Sequence, residues 1–220
     1  MYRLAVLLSG RGSNFEAILR AIESGFITNG KIAVVVSDNR QARGLEIARK
    51  HNIEAVFFDP KGKSREEYDR VVVDYLKQRD VDFVLLAGYM RILSEFFVRS
   101  FKNRILNIHP ALLPSFKGLH AQKQALEKGV KVAGATVHFV TENLDDGPII
   151  VQSVVPVFDD DDEESLSKRI LKTEHKIYPY AVKLLVEGKL GLKNGRVYIK
   201  DTKKEEFFVS NPAIGGSDGV

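Results

Sequence analysis

Near its start the chain carries Arg3-Leu4-Ala5-Val6-Leu7-Leu8, and this short run constrains the fold more than any other feature. It is too short for a helix, and its unbroken apolarity leaves no face for water. It therefore predicts a strand buried on both sides. Such a strand needs helices above and below the sheet, and the following residues supply them. A Gly-rich turn, Ser9-Gly10-Arg11-Gly12-Ser13-Asn14, leads into a segment up to Ser24 with Phe15, Ile18, Leu19 and Ile22 at helical spacing. The alternation then repeats. Strands are predicted at Lys31–Ser37, Ala55–Phe58 and Phe83–Ala87, with helices at about Arg43–His51, from the capping-box sequence Ser64-Arg65-Glu66-Glu67 to about Arg79, and at Leu93–Ser100.

The second half keeps the pattern less strictly. Arg104–Ile108 reads as a strand stopped by Pro110, which has no N–H to give a ladder. A loop to Gly118 precedes a helix reaching about Lys128. Ala133–Val140 and Ile149–Val157 read as strands around a Thr141–Pro148 loop. The acidic run Asp159–Glu164 opens a last long helix to about Glu187, where carboxylates meet the positive helix end. Gly188 to Lys200 predicts a turn and one short strand. Strands alternating with helices give an α/β domain with a mainly parallel sheet. The expected domain is 1–200, with 201–220 as a charged, Gly-rich tail in which Phe207-Phe208-Val209 is a candidate to dock on the body.

Composition narrows the chemistry. The chain has 220 residues and no cysteine, which excludes disulfides, thiolate metal sites and thiol nucleophiles and points to the cytoplasm. No apolar run approaches the roughly 18 residues of a membrane span. A net charge of +4, dispersed along the chain, is too small to argue for a nucleic-acid partner and fits anionic small substrates at least as well.

Three constellations can carry chemistry. At Gly12-Ser13-Asn14, between the first strand and first helix, backbone N–H groups and the helix dipole favour a phosphate. The same residues also make a plain tight turn with a Ser or Asn cap. They match neither a dinucleotide fingerprint nor a Walker A loop. In Asn107-Ile108-His109-Pro110, strand alternation puts Asn107 and His109 on one side, at the strand end where open α/β sheets bind ligands. An amide donor beside an imidazole suits oxyanion stabilisation and proton movement. A purely structural His before Pro is the competing reading. Asp145, in Leu144-Asp145-Asp146-Gly147-Pro148, is ordinary turn chemistry unless its loop returns to His109, where a carboxylate favours imidazolium. His120, His138 and His175 have no neighbours at metal-ligand spacing and are taken as structural or substrate-adjacent, so no metal is expected.

These segments together resemble the phosphoribosylglycinamide formyltransferase family, which uses 10-formyltetrahydrofolate in purine synthesis. The resemblance is carried by Leu7–Asn14, Ser64–Asp69, Leu86–Leu93, Leu106–Pro110 continuing to Leu113-Pro114, Gly134–Val140, Leu144–Pro148 and Glu174–Pro179, in that order. It implies a Rossmann-like doubly wound sheet with helices on both faces. It also implies a catalytic set of Asn107, His109 and Asp145 and a ribonucleotide phosphate on Gly12, Ser13 and Asn14, with Glu174 near the substrate amine. The folate would lie along Met90, Arg91, Ile92 and Leu93, beside Asn107 and the loop of Thr141, Glu142, Asn143, Leu144 and Asp145. Arg65 would meet its outer part. The expected partners are two small molecules, glycinamide ribonucleotide and the formyl folate, with no metal, nucleic acid or membrane. Ala111 stands where the family usually has Ser, and Lys172 lies in a segment the family varies.

The implied reaction is direct attack of the amine on the formyl carbon. The competing readings are a formyltetrahydrofolate hydrolase, another folate-dependent formyltransferase, and a non-catalytic phosphate-binding Rossmann module. A chain that enters its first strand by residue 3 and has only 20 residues after Lys200 is expected to lack the hydrolase's N-terminal regulatory domain and the C-terminal domain of methionyl-tRNA formyltransferases.

Overall fold

A computed structural model of the chain describes residues 1–202, 205–206 and 209–212. Its strands are β1 (Tyr2–Leu8), β2 (Gly30–Ser37), β3 (Glu54–Phe57), β4 (Phe83–Leu86), β5 (Ile105–His109), β6 (Val132–Phe139) and β7 (Ile149–Pro156), and they form one sheet in the order β3-β2-β1-β4-β5-β6-β7. Strands β1 to β5 pair in parallel, while β6 and β7 add to them antiparallel. The α/β class and the mainly parallel sheet are thus as the residue pattern predicts.

Alternation along β1 explains its unbroken apolarity. Leu4, Val6 and Leu8 enter one core, and Ala5 and Leu7 enter another on the opposite face. The first core is closed by helices α1 (Ser13–Glu23), α2 (Arg43–Lys50), α5 (Ala121–Glu127) and α6 (Glu163–Val186). The second is closed by α3 (Arg65–Lys77) and α4 (Glu95–Ser100). The capping box expected at Ser64 is present, and α6 opens with a second one. The Ser64 side chain accepts from the Glu67 N–H while Glu67 reaches back to the Ser64 N–H, and Asp162 and Ser165 do the same at the start of α6.

Three local expectations are corrected. Helix α4 begins at Glu95, because Ser94 takes the cap position and its side chain accepts the Phe97 N–H. Helix α5 begins only at Ala121, since Phe116, Gly118 and His120 all have positive φ and hold the preceding chain in turns. The segment after Gly188 forms a hairpin of two strands, β8 (Leu190–Lys193) and β9 (Arg196–Ile199), where one was expected. Asn194 and Gly195 both take positive φ, the geometry of a two-residue hairpin turn. Of the proposed docking motif, Phe207 and Phe208 lie outside the described residues and Val209 is exposed. Further on, the Asn211 amide donates to the Lys131 and Val157 carbonyls, both at 2.7 Å, where β6 begins and β7 ends.

The strand order decides where a ligand can enter. Chain connections leave β1 towards β2 on one side and return to β4 on the other, opening a crevice beyond the carboxyl ends of β1 and β4. The Gly-rich turn follows β1, Gly88 follows β4, and His109 ends β5. One bond spans the crevice floor: the Ser9 N–H donates to the Gly88 carbonyl at 3.0 Å.

Candidate active site

Strand β5 supplies Asn107 and His109 on one face, as alternation requires, and the antiparallel strand β6 lies against them. Asn107 is registered opposite His138, and His109 opposite Thr136. This cross-strand register makes His138 part of the site. His138 Nδ1–H donates to the Phe139 carbonyl at 2.9 Å, so its Nε2 carries a lone pair and accepts from Asn107 Nδ2 at 3.2 Å. Burial lowers the His138 pKa and keeps the ring neutral, which preserves that lone pair. The amide of Asn107 is thereby fixed with its NH₂ group towards His138, leaving a second N–H for another acceptor. Thr136 braces the next turn, donating to the Ala111 carbonyl at 2.7 Å and accepting from the Leu113 N–H at 3.1 Å.

Asp145 does return to His109. It is buried, with φ of 47° before the Gly147 turn, and its Oδ2 faces His109 Nδ1 across 3.4 Å. The same oxygen accepts the Gly118 N–H at 2.9 Å, while Oδ1 lies 3.8 Å from His138 Nε2. On the other side of the His109 ring, Nε2 lies 2.8 Å from the Phe116 carbonyl. Both ring nitrogens of His109 therefore face oxygen atoms, the Asp145 carboxylate on one side and the Phe116 carbonyl on the other. Asp146, the neighbour of Asp145, points elsewhere and pairs with Lys117.

Across the crevice, Gly12 caps α1 with φ of 76° and provides no side-chain bond to the helix start. The first N–H groups of a helix have no intrahelical partner, so the turn presents donors to an anion. Asn14 is buried and its amide donates to Glu174 Oε2 at 2.7 Å, tying the turn to α6. Burial raises the Glu174 pKa, against the opposing influence of the Asn14 bond and of nearby His109. Glu174 thus ties the Gly-rich turn to α6 through Asn14.

A model of the formyl transferase family matches residues 2–182. The chain belongs to the formyl transferase family. Among its relatives, this formyl transferase is 42% identical to the phosphoribosylglycinamide formyltransferase of Haemophilus influenzae, covering 90% of this chain and 94% of that protein. It is 48% identical to the trifunctional purine biosynthetic protein adenosine-3 of Drosophila pseudoobscura pseudoobscura over 86% of this chain, and it spans only 14% of that longer protein. The crystal structure of glycinamide ribonucleotide transformylase 1 from Symbiobacterium toebii is similar throughout, with a TM-score of 0.89 and 51% identity over 91% of this chain and 95% of that one.

Of the residues singled out by sequence, this formyl transferase brings Asn107, His109 and Asp145 together, and Asn14 with Glu174. Met90 and Ile92, on the segment that follows β4, stand 67% and 51% exposed. Leu93 is partly buried and packs against the second core, as Tyr89 and Val140 also do. Leu144 is exposed on the Thr141–Asp145 loop. Glu142 is engaged by Arg99 at 2.8 Å and Thr141 bonds within the loop, while Arg65 and Asn143 stand exposed. His138 and Thr136 were not predicted as site residues. Their signal was present, because Thr136-Val137-His138 repeats the polar–apolar–polar pattern of Asn107-Ile108-His109, but only the antiparallel register makes the two patterns face each other. His120 and His175 remain outside the Asn107–His109–Asp145 cluster. His120 lies exposed on Glu163 at 3.7 Å, and His175 lines a groove between α1 and α6.

Proposed function

We propose that this chain transfers the formyl group of 10-formyltetrahydrofolate to the amine of glycinamide ribonucleotide in purine synthesis. The observation that carries the reading is the convergence of Asn107, His109 and Asp145 in one crevice with the Gly12–Asn14 turn. A phosphate held at the turn fixes one end of the acceptor, and Glu174 receives its amine end. The pterin of the donor rests on the Met90–Leu93 segment and the Thr141–Asp145 loop, with Arg65 towards its outer part. A catalytic domain of residues 1–200 contains all of these groups. Cytoplasmic action fits two soluble small-molecule substrates and a chain without cysteine.

The neutral amine attacks the formyl carbon, and the new C–N bond turns the formyl oxygen into an oxyanion. Asn107 donates its second amide N–H to that oxygen, and His109 gives it the Nε2–H otherwise held by Phe116. One such donor is worth about 3–4 kcal/mol, or a factor of about 10² to 10³ in rate. Asp145 holds the protonated imidazole in place and helps carry the amine's proton to the departing folate nitrogen, as the bond between that nitrogen and the formyl carbon breaks.

The test is formyl transfer by the purified chain, with the donor alone and with glycinamide ribonucleotide among a panel of amines. Product should form with glycinamide ribonucleotide far faster than with other amines. Release of formate without any acceptor would identify a hydrolase instead.

Two variants probe the arrangement. A Cβ on Gly12 would sit 2.8 Å from the Gly44 Cα and in a left-handed backbone conformation, so Gly12→Val must push the turn away from α2. The KM for the ribonucleotide is expected to rise about a hundredfold or more, well beyond any change in the KM for the folate. Equal rises in both would reduce the turn to a structural element, and selective loss of folate affinity would refute the phosphate site. His138→Phe removes the acceptor that orients Asn107 and should lower kcat about tenfold with little change in either KM. Unchanged kcat would mean that the Asn107 amide needs no partner.

A further inference from the structure

We infer that Asp69, a buried carboxylate on α3, is a positioning residue that sets the shape of the Met90–Leu93 segment and hence the affinity for the formyl donor. The inference rests on the reading of that segment as the folate's seat. Asp69 is only 1% exposed, although its helix lies on the far side of the crevice wall. A buried carboxylate is costly unless it is bonded, so its partner indicates what it is there to hold. That partner is the Ser94 N–H, which donates to Asp69 Oδ2 at 2.6 Å, while Oδ1 is buried without a hydrogen-bond partner among the described residues, so this short bond is the carboxylate's one such compensation there.

The bond fixes one end of a stretch that carries no secondary structure of its own from Met90 to Leu93. The other end is fixed by the Met90 N–H, which donates to Ser9 Oγ at 2.9 Å. Between them the Arg91 guanidinium stacks over the Tyr68 ring, 4.4 Å from its centroid, and Tyr68 is the residue next to Asp69 on α3. With both ends and the middle held from below, the exposed side chains of Met90 and Ile92 keep one arrangement towards the crevice. Ser94 also caps α4, so the segment is joined to a rigid element at the same point. Release of the Ser94 anchor lets the stretch relax while leaving Asn107, His109, Asp145 and the phosphate turn untouched. The cost should therefore appear in donor binding and nowhere else, because a surface that must be ordered at the moment of binding loses affinity.

Steady-state kinetics on Asp69→Ala and Asp69→Asn, with thermal melts of both, test this. Asp69→Ala should raise the KM for the formyl donor ten- to thirtyfold, with kcat and the KM for the ribonucleotide within twofold of wild type. Asp69→Asn keeps an acceptor but loses its charge, and should raise the donor KM two- to fourfold. If Asp69→Ala does not fold, the decision rests on Asp69→Asn alone. A donor KM unmoved in Asp69→Asn, or equal rises in both KM values, overturns the inference even where the melting temperature falls. Wild-type protein that transfers no formyl group overturns the proposed function and this inference with it. Wild-type protein that transfers normally, with variants unmoved in donor KM, overturns this inference alone.

Discussion

His109→Ala is expected to cut formyl transfer by a factor of about 10³ or more while leaving the protein folded. Positioned proton donors contribute about 10² to 10⁴, and the same ring would also stabilise the oxyanion, so the two losses compound. The fold should survive because the ring's contacts are local. Asp145 keeps the Gly118 N–H as a partner, Asn107 keeps His138, and the strand register is made by backbone bonds. Removal of a buried ring still costs packing. A loss of a few kcal/mol would lower the melting temperature by roughly 5–10 °C in a domain of this size. The measurements are kcat/KM for both substrates and a thermal melt. Wild-type turnover in the folded variant would remove His109 from the chemistry.

The second large effect is expected at Asp145, where two substitutions separate two roles. Asp145→Asn keeps an oxygen for the Gly118 N–H and tolerates the positive φ, but it removes the charge facing His109 Nδ1. Its kcat should fall by about 10² to 10⁴, with little change in stability. Asp145→Ala also abandons the Gly118 N–H and strains the backbone at that φ. It should lose the same activity and in addition melt several degrees lower. If Asp145→Asn retains full activity while Asp145→Ala is only less stable, the carboxylate is a loop anchor and takes no part in transfer.

Much of this was legible in the residues because each signal is local. The apolar run of β1 demanded two covered faces, and both cores are there. The capping box at Ser64 is closed within four residues and so could be read directly from its Ser-x-x-Glu form, whereas the acidic run marked the start of α6 but not the Asp162–Ser165 box. Helix ends set by loop geometry were less legible. Positive φ at Gly118 and His120 delays α5, and nothing in the apolar spacing records that. Asn107 and His109 were readable as a pair because a strand alternates. Asp145 was readable only through a family resemblance, because its loop is joined to β5 by no local rule.

Sequence alone determined the class of fold, the strand that carries Asn107 and His109 on one side, and the Gly-rich turn that follows β1. These depend on periodicity and backbone freedom, which act over a few residues. The tertiary structure decided the partners. The antiparallel attachment of β6 set His138 against Asn107 and fixed the amide's orientation, and the return of the Gly147 loop carried Asp145 to His109. It also gave Asp69 its hold on Ser94, 25 residues away. Contacts between residues far apart in the chain follow from strand order and register. Those are chosen by burial summed over the whole sheet, which no short stretch of sequence contains.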